Sequence, residues 1–184
     1  MTRLKAVNPE QATGKTKELF SAIENKLGMV PNMMRTMGNS SAFLEGYLNL
    51  SGALGKGTLG AKTGELIAIA VAESNACDYC LSAHTYIGGS LLKINSEALS
   101  NARDGKSADL KTEAALRFAK TLVTKKGLVN DADVNAIKNA GFTEGEIGEI
   151  IGHVGLNVLT NYFNNTAKTE IDFPVVEAHS VVAV

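Results

Sequence analysis

The chain has 184 residues, 45% of them hydrophobic, enough for one domain with a packed core and too few for two of ordinary size. Its 18 basic residues are balanced by 19 acidic ones, and no Lys/Arg block is interleaved with aromatics, which argues against nucleic acid or an anionic membrane as partner. The segment Met1 to Pro9 lacks the apolar core of a signal peptide, and the longest unbroken apolar run, Leu66 to Ala72, falls far short of the ~20 residues that cross a bilayer, so a soluble, cytoplasmic protein is expected.

Prolines occur only at Pro9, Pro31 and Pro174, which leaves the long middle of the chain free of the strongest helix breaker and favours an all-helical body. Asn8 can cap a helix with Pro9 at its first position, and Leu19, Phe20, Ile23 and Leu27 follow helical spacing to a stop at Gly28. A short helix or turn over 30–38 precedes a helix from Ser41 to Leu54, and 55–60 reads as a glycine-rich loop. An apolar helix is expected from Lys62 to Ser74 and a second from about Cys77 to Ile87, stopped by Gly88 and Gly89. Further helices are expected near 96–102, 109–125 and 131–139, with a turn at Asp104-Gly105. Thr143 followed by Glu146 forms a capping box for a long last helix to about Lys168, and the segment after it is extended. No strand alternation or useful internal repeat is present. The expected organisation is a single domain over 1–184, with a helix hairpin at 60–90 as its core and an extended tail over 170–184.

Both cysteines lie in the hairpin. Cys77, Cys80 and His84 fall within an arc of about 60° on a helix, so two sulfurs able to join as a disulfide share a face with a base. With the hairpin pivoting near Ser74 and Asn75, Glu65 lies level with His84, where a carboxylate can orient or charge an imidazole. A cysteine becomes reactive at a helix N-terminus beside a base or cation, and a sulfenic acid on one sulfur can be captured by the other. The residues alone leave three readings open. Two are thiol redox chemistry and a pair of buried apolar cysteines. The third is a metal site, whose four ligands would be completed by Glu65 or water.

The order Glu65, eleven residues, Cys77-Asp-Tyr-Cys80, three residues, His84 resembles the core signature of the alkylhydroperoxidase AhpD and carboxymuconolactone decarboxylase superfamily. The segments 28–37 and 160–165 resemble its peroxidase-related branch, and the likeness spans about residues 20 to 175. This resemblance implies an all-α, AhpD-like fold assembled as trimers or hexamers, with no cofactor or metal. It implies a peroxidase in which Cys80 becomes the sulfenic acid, Cys77 resolves it, and Glu65 and His84 relay protons. The implied partners are a small-molecule hydroperoxide and a dithiol reductant, lipoyl-bearing or thioredoxin-like. One position departs: the best-known alkylhydroperoxidase has a second histidine between the cysteines, where this chain has Tyr79, which implies a shorter relay. Superfamily decarboxylases typically lack the cysteine pair. Two rival functions stand beside the peroxidase: a non-catalytic helical oligomer that senses redox state or metal, and a lactone decarboxylase using Glu65 and His84.

Several other residues carry structural expectations. Tyr79 is read as packing with its hydroxyl at a rim, and Glu73 as facing solvent or the next helix N-terminus. Met29, Met33, Met34 and Met37 are read as core filling or a subunit contact, and His153 as paired with Glu149 one helical turn away. His179 carries no role. Asn161, Asn164 and Asn165 are read as caps or bonds between subunits.

Overall fold

The computed structural model describes residues 1–179, and among these there is helix and no strand. The main helices are α1 (Gly14–Leu27), α2 (Asn32–Met37), α3 (Ser41–Leu54), α4 (Ala61–Ser74), α5 (Asp78–Tyr86), α6 (Ser96–Arg103), α7 (Leu110–Thr124), α8 (Asp131–Asn139) and α9 (Glu144–Ala167). Local chemistry explains their ends. Ser40, Asn95 and Asp109 each accept a backbone N–H at the start of α3, α6 and α7, and Asn130/Asp133 and Thr143/Glu146 close capping boxes on α8 and α9. Gly28 ends α1 in the left-handed region at φ 77°, which glycine enters without penalty.

Helix α4 is the centre of the fold. Every residue from Leu66 to Ala72 is buried, because α5, α6, α7 and α9 pack around it on all sides, as an all-apolar helix requires. Close approach rests on small residues: a Cβ on Gly64 would lie 2.9 Å from the His153 ring of α9, and one on Gly152 2.9 Å from Leu54 of α3.

The structure departs from the sequence reading at three places. Asn8 and Pro9 start only a 3-10 turn, Pro9–Gln11; the chain then straightens so that Ala12 enters the core, and α1 begins afresh at Gly14. Gly88 and Gly89 do not stop the cysteine helix, which continues as a π-helical turn over Ile87–Leu91, closed by Leu92 N–H on Ile87 O at 3.1 Å. Gly88 serves packing instead, since a Cβ there would lie 2.7 Å from Leu99 of α6. Glu73 faces neither solvent nor the α5 N-terminus: its carboxylate, 9% exposed, accepts from Arg103 at 2.6 Å, pinning the end of α4 to α6.

Beyond α9 the chain runs without helix through His179, and residues 180–184 of the expected tail lie outside the described residues. The described part is tied down rather than loose. Val176 N–H donates to Ser82 at 2.9 Å, Ala178 N–H to Asp78 at 2.9 Å and His179 N–H to Glu73 at 2.8 Å.

Candidate functional site

Helix α4 delivers Glu65, the turn after it delivers Cys77, and α5 delivers Cys80 and His84. The turn is tight, with Ala76 at φ 48° and Cys77 N–H bonded back to Ala72 O at 3.0 Å. Cys77 is thereby the N-cap of α5 rather than part of its first turn, and Cys80 sits at N3. The hairpin brings His84 Nδ1 to 2.7 Å from Glu65 Oε2, and Cys77 Sγ to 2.8 Å from Cys80 Sγ. The carboxylate favours a proton on Nδ1 of His84, and the Asn157 side chain is a further hydrogen-bond partner that supports the charged ring.

The two sulfurs are electrostatically unequal. Burial works against ionisation of Cys80, but the Cys77 S–H, the charge of His84 and the amides of Asn164 and Asn161 outweigh it and bring its pKa from 9.0 down to about 7. Cys77 moves the other way, held protonated by its bond to Cys80 and by burial. Burial also pushes His84 down, yet the charge and hydrogen bond of Glu65 prevail and its pKa is raised. Protein surrounds the imidazole, while 22% of its side-chain surface remains open to the cavity beside it.

That cavity, about 440 Å³, lies between α3, α4, α5 and α9. Cys80 forms part of its wall and Cys77 does not. Glu65, His84, His153, Tyr47, Asn157, Ser51 and Thr160 are among its polar groups, set against apolar side chains such as Met33 and Phe173. Among the described residues, neither Lys nor Arg lines it. Burial keeps Tyr47 protonated, with its pKa pushed up to about 12, and lowers that of His153. Among the described residues, no group of three or more His, Cys, Asp and Glu side chains has metal-holding geometry.

Several residues near the sulfurs escaped the sequence reading or were misread by it. Asn164 Nδ2 donates to Cys80 Sγ at 3.3 Å, so this asparagine points at the site rather than toward another subunit. Asn161 accepts from Asn75 Nδ2 at 2.9 Å, and Asn165 donates to Asn75 O at 2.9 Å; together they fasten the α4–α5 turn to α9. His153 is not paired with Glu149, whose carboxylate is taken by the Thr58 and Leu59 N–H groups at 3.0 Å each; His153 faces Gly64 and the cavity. Met29, Met33 and Met34 line the cavity, and Met37 fills the core. Tyr79 is buried, accepting Met33 N–H at 3.1 Å and donating to Asp172 at 2.9 Å. The density of asparagines on one helix was the available signal; nothing local marked Asp172 or Phe173.

Residues 41–88, which contain Glu65, Cys77, Cys80 and His84, match the model of the carboxymuconolactone decarboxylase family. No curated protein matches the sequence. Among solved structures, an uncharacterized peroxidase-related protein from Silicibacter sp. is 24% identical, with TM-score 0.79 over 92% of this chain and 94% of that one. A second, from Ralstonia eutropha and described as an alkylhydroperoxidase AhpD core, is 23% identical, with TM-score 0.82 over 93% and 92%. The debrominase Bmp8, in complex with 2,3,4-tribromopyrrole, is 19% identical, with TM-score 0.78 over 94% and 92%. At these identities the structures speak to fold alone, and they agree on it along nearly the whole chain. The cysteine hairpin thus matches the carboxymuconolactone decarboxylase family over residues 41–88, and the fold along nearly the whole chain is similar to that of the alkylhydroperoxidase AhpD core.

Proposed function

We propose that the protein is a cofactor-independent thiol peroxidase that reduces neutral organic hydroperoxides through Cys80 and Cys77. One observation carries the reading: the sulfur with the lowered pKa is the one that opens on the cavity, and its partner stands directly behind it. The Cys80 thiolate attacks the terminal peroxide oxygen, the O–O bond breaks, and the departing alkoxide takes a proton from the His84 imidazolium to leave as an alcohol. Cys77 then displaces hydroxide from the sulfenic acid at Cys80; its own proton completes a water molecule and a disulfide forms. Two external thiols return the pair to the dithiol and become a disulfide themselves. The lipoyl-bearing or thioredoxin-like donor, and assembly as a trimer or hexamer, belong to this proposal through family resemblance.

The rivals fit less well. A decarboxylase must hold a substrate carboxylate, and among the described residues this cavity offers Glu65 and no Lys or Arg to meet it. A sensor needs no substrate-sized cavity at its reactive sulfur. One observation favours a second reaction for the same dithiol: Tyr47, Tyr79 and Phe173 in the cavity wall suit a flat aromatic guest. On a bromoaromatic, the pair would exchange bromine for hydrogen, yielding the disulfide and HBr.

The test is peroxide consumption by the pure protein with a dithiol in excess. Cumene hydroperoxide should be turned over by wild type and not by Cys80→Ser, and Cys77→Ser should trap sulfenic acid after one equivalent. Equal consumption by wild type and Cys80→Ser sinks the reading.

A further inference from the structure

Two asparagines on α9 lie against the reactive sulfur, in the chemically silent part of the site. Asn164 is 2% exposed and donates Nδ2–H to Cys80 Sγ at 3.3 Å. Asn161, one helical turn earlier and fully buried, has its Oδ1 fixed by Asn75, while its Nδ2 makes no well-formed hydrogen bond with any group, although the side chain lies near enough to Cys80 to favour its thiolate. A buried amide N–H without an acceptor is costly, and native structures rarely keep one. A thiol sulfur is a poor acceptor, whereas a thiolate takes charge-assisted hydrogen bonds. The donors around Cys80 are therefore badly used when the sulfur is neutral and well used when it is charged.

Resting on the reading of Cys80 as the attacking sulfur, we infer that Asn161 and Asn164 form an amide cradle for the Cys80 thiolate, with Asn164 a catalytic residue at the reacting atom and Asn75 a positioning residue that aims Asn161. Neutral amides suit this place. Neither of them lines the cavity, so they stabilise the anion without competing for the peroxide, and they remain when His84 has given its proton to the alkoxide. His84 and the cradle thus divide the work: the imidazolium supplies the proton, and the amides hold the charge before attack and again when the disulfide is reopened. Asn164 Oδ1 also lacks a donor, so the carboxamide is held for its N–H side alone.

The experiment is iodoacetamide alkylation of Cys80 against pH, in a Cys77→Ser background, with thiolate absorbance as a second readout. Asn164→Ala and Asn161→Ala should each move the ionisation midpoint up by about one pH unit, which from a midpoint of about 7 is roughly a fivefold loss of thiolate at pH 7. Asn164→Asp keeps the shape, removes the donors and adds negative charge, and should move the midpoint further than Asn164→Ala. A midpoint unchanged in folded Asn161→Ala, or in Asn164→Asp, overturns the cradle. Alkylation does not depend on any peroxide, so this result and the peroxidase assay fail independently.

Discussion

Tyr79 and Asp172, 93 positions apart, meet through a hydrogen bond of 2.9 Å that ties the cysteine helix to the segment after α9. The same phenol oxygen accepts Met33 N–H, and its ring meets Phe173 edge-on with centroids 5.9 Å apart. Tyr79→Phe keeps the ring contact and strands both polar partners, so it should cost about 1–3 kcal/mol in urea unfolding. Amide exchange at Val176 and Ala178 should quicken in the same variant, while the ionisation of Cys80 stays where it was.

Glu65→Gln should make Cys80 less reactive at neutral pH. The carboxylate raises the His84 pKa, and the charged imidazole lowers that of Cys80; losing the first weakens the second, and the alkylation midpoint should rise above the wild-type value of about 7. Stability follows the same linkage. The folded pKa of Cys80 lies below the 9.0 of an ordinary thiol, so its ionisation stabilises the fold fully only above that value, and the increment fades as pH falls through about 7. Melting temperatures of wild type and Cys80→Ser across that window should converge toward lower pH.

Gly64→Ala should be destabilising by about 1–3 kcal/mol, because the new methyl would meet the His153 ring at 2.9 Å. Adding His153→Ala should recover part of that loss. A double-mutant cycle by thermal unfolding gives the coupling; purely additive effects would show that the ring is not what the methyl meets.

Glu149→Gln should loosen the approach to α4. The carboxylate accepts from Thr58 N–H, Thr58 Oγ1 and Leu59 N–H, which is why its pKa is lowered. The amide can replace at most part of this, so hydrogen exchange at Thr58 and Leu59 should rise several-fold while that of α4 is retained.

Much of the helical plan was legible because its signals are local. Ser41–Leu54 and Asp131–Asn139 coincide with their expected bounds, and the Thr143/Glu146 box marks the start of α9. The hairpin arithmetic that levelled Glu65 with His84 needed only helical rise and one turn. What sequence could not give was orientation across the core. Glu73 met Arg103 because α6 returns beside α4, and Glu149 met the 58–59 amides rather than His153 because α9 passes that loop. The asparagines on α9 were visible as a cluster, but which way they faced depended on how α9 lies on the α4–α5 turn.

The donor that reaches Cys80 comes from 84 positions further along the chain. During synthesis, then, both cysteines emerge well before the amides that help to charge one of them, and in an unfolded chain they are ordinary thiols, a few per cent ionised at neutral pH. Reactivity arrives with the finished fold. The lowered pKa of Cys80 thus belongs to the native arrangement, in which a second sulfur already stands 2.8 Å away.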